Sequence, residues 1–475
     1  MNLLHLIYPN GSIVPISYED SINFNNNSEW RIGFCFPLAI NYVILLYYDR
    51  KESLTDLSIH GTIINLQGKI TTKDMVMLRH YNSSASTDYF IATYDRFPQS
   101  FLISYPKDGY LNWTKCTYSD DGIVTQVSYG SIRPVVDAFI FIEHRPFPTL
   151  DGQYAIVYLV QNASENAIYS IYAHFVNGQD QISEEHLLFQ DSSSDNAINL
   201  VSLSGCLSGI DAFNIQSNGC TFNYYLISFA APIMFRIATA FITFSSSGTV
   251  IQSDVISTDD LLNSSTVVFQ AISFFQLPYG GFISINKLDL NESYYSQVIV
   301  YNLNYTSSYK LFEVVNETIV DYGIYSNNTL WFTYGNMTAG RKLVMLDVER
   351  FSNDSDYGNR VILSTYPTLN MTVPLSYTDH FNITLSVPVV PSSGNISIYQ
   401  IVDQDKYLLR QTYPASSFCK LYNISTLTCK TLFSTFNRVN SNYTIVANDN
   451  FVKTLSFNEP LQGIYQGIWN VKTPQ

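Results

Sequence analysis

Between Phe147 and Ile182 the chain reads FPTLDGQYAIVYLVQNASENAIYSIYAHFVNGQDQI, and its apolar and polar positions fall into an ordered unit. A turn (FPTLDGQY) leads into an apolar, aromatic run (YAIVYLV). A polar reversal (QNASEN) follows, then a second run (AIYSIYAHF) and a Gly-bearing turn (VNGQDQI). Short runs rich in β-branched and aromatic residues, bounded by turn residues, predict strands. Looser copies recur along the first three quarters of the chain, and a repeat fixes architecture before any single motif does.

The copies begin with LLHLIYPNGSIVPISY over residues 3–18, then FPLAINYVILLYY and LSIHGTIINLQGKI within 36–70. YFIATYD and FLISYPKDGYLNW follow from Tyr89, and a further hairpin, GIVTQVSYG with VVDAFIFIE, fills 122–143. Beyond the clearest copy come YYLISF with RIATAFITFSSSGTVI (224–251), FQLPYGGFISIN with SQVIVYNLNYTSSYKLF, and TLWFTYG with KLVMLDVERF (329–351). Strand starts near 42, 89, 154, 224, 282 and 330 are 47–70 residues apart, which suits four-stranded blades with variable loops. Solenoid units are shorter and more regular. The expectation is a β-propeller over residues 1–366, with seven blades favoured over six if the 122–143 hairpin is a blade of its own. The strand NRVILSTY (359–366) is expected to complete the blade begun by residues 3–18, closing the ring and removing exposed edges.

At Pro367 the texture changes to short strands separated by turn residues, and residues 367–475 have the size of one β-sandwich domain. The phrase ITLSVPVVPSSGNISIY resembles the strand pair of the SbsA-type bacterial Ig-like domain. The ending, NYTIVANDNFVKTLSFNEPLQGIYQGIWNVKT, is similar to that family's close. The resemblance implies an Ig-like sandwich. Taken with the repeats, this tail resembles a group of secreted or cell-surface proteins of mycorrhizal fungi, which implies a surface location and brings no catalytic residues.

Hydrophobic residues make up 46% of the 475 positions and charged residues only 13%, about half the share in an average soluble protein. Ser, Thr, Asn and 36 Tyr replace the missing charge, and no sustained 3.6-residue period predicts a long helix, so the class is all-β. The net charge is −14 and the 25 basic residues form no cluster, which excludes a nucleic-acid partner.

Seventeen N-x-S/T sequons stand at Asn10, Asn26, Asn82, Asn112, Asn162, Asn263, Asn291, Asn304, Asn316, Asn327, Asn336, Asn353, Asn370, Asn382, Asn395, Asn423 and Asn442. That is about twice the chance number and predicts a glycoprotein of the secretory pathway, extracellular or at the cell surface, whose glycans solubilise a surface short of charge. The opening MNLLHLIYPNGS lacks a basic flank, so a leader is expected upstream of it. Cys206 lies near Cys220 and Cys419 near Cys429, leaving Cys35 and Cys116 as a third, long-range pair; six cysteines allow 15 pairings. The longest apolar stretch, Phe222 to Phe244, is broken by Asn223, Pro232 and Arg236 and reads as two buried strands, not a membrane span.

The motifs of zinc proteases, serine hydrolases, P-loops and dinucleotide sites are missing, and the seven histidines are scattered singly, with His174 inside a strand. Glycosidases need two carboxylates about 5–10 Å apart. Asp137 and Glu143 share strand parity but lie about 20 Å apart along it. Asp354 and Asp356 in SNDSDYGN suit a cation loop or a solvated turn. Trp30, Trp113 and Trp331 serve either a core or a sugar-stacking platform. No catalytic, cofactor-binding or metal-ligating residue is assigned. The expected function is a non-enzymatic adhesion, wall-association or recognition protein, with cell-wall polysaccharide or a surface protein as partner. The alternatives are a carbohydrate-active hydrolase on the propeller and the ectodomain of a membrane receptor.

Overall fold

The computed structural model describes residues 4–7, 13–16, 30–39, 42–49, 57–65, 75–81, 90–94, 99–107, 109–119, 123–133, 139–162, 169–177, 181–190, 200–212, 215–228, 234–257, 268–290, 293–302, 308–325, 327–336, 340–375, 377, 380–403 and 406–475. These residues are strands almost throughout, with a single four-residue helix, Ala415–Phe418. No helix among them is long and apolar enough to cross a membrane.

Up to residue 347 the described strands form six sheets. Five are four-stranded meanders over residues 30–81, 90–132, 139–190, 200–257 and 268–315, each with its strands in sequence order. The sixth holds Ile319–Ile324, Thr329–Asn336 and Gly340–Asp347, and gains Leu4–Ile7 and Ile13–Ile16 from the start of the chain. Leu4–Ile7 runs parallel to Gly340–Asp347, with His5 beside Lys342, and so closes the ring.

The first strands of the sheets pack side by side in sequence order, and Ile319–Ile324 returns against Trp30–Ala39. The fold is propeller-like. Apolar residues fill the space between successive sheets: Ile44 and Phe101 between the first and second, Trp113 and Ile156 between the second and third, and Phe147 and Phe222 between the third and fourth. Phe275 and Phe332 join the fifth to the sixth. Burying both faces of each sheet explains why these strands read as nearly continuous apolar runs.

Turn chemistry repeats with the sheets. In Thr149–Gln153 the Thr149 amide donates to the Gln153 carbonyl at 2.9 Å and the Gly152 amide to Thr149 at 3.1 Å. The same two bonds recur in Leu277–Gly281, Tyr325–Thr329 and Ser245–Thr249. The fourth residue of each turn, Gly152, Gly280, Asn328 or Gly248, has φ between 75° and 80°, a region that Gly and Asn tolerate. This is the structural content of the repeated leading turn in the sequence.

Two expectations about the ring are corrected. The strands of the 122–143 hairpin do not pair: Val124–Ile132 is the outer strand of the second sheet, and Phe139–Pro148 is the first strand of the third. The count of seven therefore gives way to six sheets among the described residues. Nor does NRVILSTY close the ring. Ile362–Tyr366 pairs with His380–Leu385 in the following unit, and Val361 and Ile362 are buried in that unit's core. The stretch Phe222 to Phe244 does form two strands, Ile215–Ser228 and Met234–Phe244, paired antiparallel.

The second unit is a sandwich of two four-stranded sheets. One holds Ile362–Tyr366, His380–Leu385, Thr426–Lys430 and Cys419–Asn423; the other holds Lys406–Pro414, Asn395–Asp403, Asn442–Ala447 and Ile464–Lys472. Its core centres on Trp469, which is fully buried, meets Phe381 edge-on at 5.6 Å and donates its indole N–H to the Pro367 carbonyl at 2.8 Å. Trp469→Ala is expected to destabilise this unit by about 3–5 kcal/mol, seen as an earlier transition in chemical denaturation.

The sandwich docks on the ring at the turns described above. Arg360 donates to the Pro278 carbonyl at 3.1 Å and Ser352 Oγ to the Tyr279 carbonyl at 2.9 Å. Glu459, only 3% exposed, accepts from the Ser246 backbone amide at 2.8 Å and from Ser246 Oγ at 2.9 Å.

Candidate functional site

All six first strands converge on a channel of about 270 Å³. Its wall carries Phe36, Phe90, Arg145, Cys206, Phe275 and Tyr322, one residue from each sheet, with Trp331 beside them. The described wall is thus mainly apolar, about a third of it aromatic, with a single charged side chain. Phe275 and Tyr322 stack with centroids 5.6 Å apart, and Phe36 meets Trp331 edge-on at 6.3 Å.

Arg145 is the polar fixture of this wall. Its guanidinium lies 3.9 Å from the centroid of the Phe90 ring, a cation–π arrangement, and donates to the His144 carbonyl at 3.0 Å. It also pairs with Glu143. The second Glu143 oxygen accepts the Leu203 amide of the neighbouring sheet at 2.6 Å, so one carboxylate ties two first strands together. His144 points the other way, buried against Phe90 and bonded through Nε2 to the Ser104 carbonyl at 3.1 Å. Burial holds its pKa down at about 3, so the ring is neutral.

Glycines set the channel's width. A Cβ on Gly323 would lie 2.7 Å from the Trp331 ring, so only Gly lets that indole lie flat against the strand. Gly323→Ala is expected to push Trp331 aside and to change the fluorescence of this wall tryptophan. On Gly205 a Cβ would meet Phe275 at an ordinary 3.5 Å, so Ala fits there, while a larger side chain fills the channel.

At the rim, Thr149 and Leu150 lead to Asp151, which accepts from Thr149 Oγ1 at 2.6 Å and Gln153 Nε2 at 2.8 Å. Glu459 lies within the field of Asp151. Burial first, then the Asp151 charge, raise its pKa to about 7, against the Ser246 bonds and Lys453, which lower it. Glu459 thus sits at the junction of ring and sandwich, held by Ser246.

The sequence candidates are scattered over the structure. Glu143 stands behind the channel wall, while its sequence partner Asp137 lies outside the described residues. Asp354 pairs with Arg350 at 2.7 Å and its Oδ1 accepts the Asp356 amide at 3.1 Å, while Arg350 lies over the Tyr279 ring of the propeller-like unit. His174 bonds the Ser183 carbonyl at 3.0 Å and stacks on Tyr158, and burial lowers its pKa. Trp113 is core and Trp331 is channel wall; the Trp30 side chain lies outside the described residues.

Cys206–Cys220 and Cys419–Cys429 are disulfides between directly opposed strand positions. The expected Cys35–Cys116 pair is corrected. Cys116 is a free thiol in the core, its pKa pushed up to about 12 by burial, and the Cys35 side chain lies outside the described residues.

Among the sequons, Asn316, Asn327, Asn353, Asn370, Asn395, Asn423 and Asn442 are exposed, whereas Asn112 and Asn382 are half-buried on strands. Asn10, Asn26, Asn82, Asn263, Asn291 and Asn304 lie outside the described residues, as do the side chains of Asn162 and Asn336.

No family model matches the chain, and no curated protein does. Solved structures similar to it include an α-L-arabinofuranosidase of Fusarium graminearum, with 9% identity, TM-score 0.36, and coverage of 73% of this chain and 96% of that one. An α-L-arabinanase of Penicillium chrysogenum has 11% identity and TM-score 0.35, covering 81% and 93%. A sucrose-6-phosphate hydrolase of Lactobacillus gasseri has 10% identity and TM-score 0.32, covering 95% and 93%. These neighbours are glycoside-cleaving enzymes and not adhesion proteins. On that finding the expectation of a non-enzymatic adhesion or recognition protein is corrected and goes no further. At this level of similarity the likeness carries no argument about residues, so any chemistry has to come from the channel.

Proposed function

We propose that this chain is an extracellular carbohydrate-active hydrolase, a six-bladed propeller with an Ig-like sandwich docked on one face, whose hub channel binds a sugar. The observation that supports this most is the channel wall. Aromatic rings from several sheets share the wall with one guanidinium held over Phe90, a combination suited to the apolar faces and hydroxyls of a sugar.

Glycoside hydrolysis needs an acid and a second carboxylate with pKa values set apart. Asp151, next to the wall residue Leu150, is the carboxylate that the described residues offer at this rim. Two disulfides and the dense sequons support an extracellular location. The test is to secrete the chain from a eukaryotic host behind an added leader and incubate it with arabinan, xylan, β-glucan and chitin. Released reducing sugar is expected from at least one polymer, and its loss in Asp151→Asn with binding retained. Depletion of protein onto a polymer with no release from any of them would refute the hydrolase.

A further inference from the structure

The outer side of the sandwich carries an apolar edge that a secreted protein short of charge cannot leave bare. Cys419–Asn423 is the edge strand of its sheet, and along it Leu421 is 39% exposed, Tyr422 81% and, just beyond, Ile424 64%. Phe418, at the end of the short helix, is 40% exposed. That helix joins this edge to the edge strand of the other sheet, Lys406–Pro414, where Tyr407, Leu408 and Leu409 are also exposed. Exposed hydrophobic edge strands are templates for pairing with a second chain.

The same hairpin carries its own remedy. Asn423-Ile424-Ser425 is a sequon at the tip, and Asn423 is exposed. Its Oδ1 accepts the Ser425 amide at 2.9 Å, and the Ser425 hydroxyl lies 3.3 Å from the same oxygen. The tip is fixed from below: the Val389 amide donates to the Ile424 carbonyl at 2.8 Å, and Cys419–Cys429 closes the base. Among the described sequons this is the one flanked on both sides by strongly exposed apolar residues. Asn395 and Asn442, by contrast, precede the fully buried Ile396 and Tyr443.

We propose that Asn423 carries an N-linked glycan whose first sugars lie on Tyr422 and Ile424 and cover this edge. In the transfer, the Asn423 amide nitrogen attacks the anomeric carbon of a lipid-pyrophosphate-linked oligosaccharide. The C–N bond forms as the C–O bond to pyrophosphate breaks, and the amide proton leaves to a base with no change of oxidation state. The apolar faces of the sugars then stack on Tyr422 while their hydroxyls face water, replacing the charge this surface lacks.

The test uses the full chain secreted from a glycosylating eukaryotic host, with site-resolved glycopeptide mass spectrometry and light scattering. Asn423 should be occupied. Ser425→Ala removes the sequon but keeps the backbone bond to Asn423 Oδ1. It should raise the self-associated fraction severalfold, whereas Ser425→Thr should keep both glycan and monomer. Adding Tyr422→Ser and Ile424→Thr to Ser425→Ala should restore the monomer. An unoccupied Asn423 in the parent chain, or Ser425→Ala as monodisperse as the parent, would overturn the proposal.

Discussion

Glu143→Ala is expected to lower the stability of the ring and its affinity for sugar together. One Glu143 oxygen balances Arg145 and the other accepts the Leu203 amide of the next sheet. Removing both leaves a guanidinium in an aromatic wall with no counter-charge and a backbone donor with no acceptor. Breaking a buried pair costs about 3–5 kcal/mol and an orphaned donor about 1–3 kcal/mol. The Arg145 and Glu143 side chains are 19% and 20% exposed, so water screens part of this, and a loss of about 2–4 kcal/mol is expected in urea denaturation. Freed from Glu143, Arg145 swings off the Phe90 ring, and sugar affinity falls at least about tenfold if one charge-assisted bond is lost. Glu143→Gln keeps an acceptor for Leu203 and is expected to fall between parent and Ala.

The second large effect is on pH. Glu459 docks the sandwich on the ring, and its pKa is raised from 4.5 to about 7, burial being the main cause. The docked form therefore binds the proton more tightly than a free carboxyl does. Its stabilising contribution is complete below about pH 4.5 and fades as the pH rises through about 7. Facing the carboxyl are the Ser246 amide and hydroxyl, the Asp151 carboxylate and Lys453. Amide protection in the turn at Ser245–Thr249, taken as the exchange rate relative to that of an open chain at the same pH, should fall clearly between pH 6 and pH 8.5. In Glu459→Gln the side-chain carbonyl still accepts from Ser246 but nothing titrates there, so protection in the turn should stay level across the same range. Protection that stays level from pH 6 to pH 8.5 in the parent chain would rule out this titration.

The strands were readable because this architecture writes them plainly. Runs such as YAIVYLV are apolar on both faces since each sheet is covered by the next, and turns such as LDGQ and LPYGG need their glycines at φ near 80°. What could not be read was which strands pair. Val124–Ile132 and Phe139–Pro148 look like a hairpin because they are adjacent in sequence, yet the first is a largely exposed outer strand and the second runs beside the hub. NRVILSTY has the same apolar texture as a blade strand, and nothing local to it says that Ile362 belongs in the sandwich core.

The hub channel was invisible for a related reason. Its wall takes one or a few residues from each of seven strands dispersed between residues 36 and 331, so no spacing or motif gathers them. Glu143 was singled out as one of a carboxylate pair. Its actual partner, Arg145, stands on the same strand with the same parity, a spacing that a surface ion pair shares. Glu459 gave no sequence signal at all, because its importance comes from Ser246, 213 residues away.

The most direct test of the hydrolase reading compares sugar release by three secreted chains: parent, Gly205→Ala and Gly205→Phe. The Ala methyl makes ordinary contact with Phe275 at 3.5 Å, while a phenyl ring at that position occupies the channel. Parent and Gly205→Ala should release reducing sugar from the same polymer, and Gly205→Phe, folded by circular dichroism, should release almost none. Equal release by a folded Gly205→Phe chain would contradict the assignment of the hub channel as the sugar site.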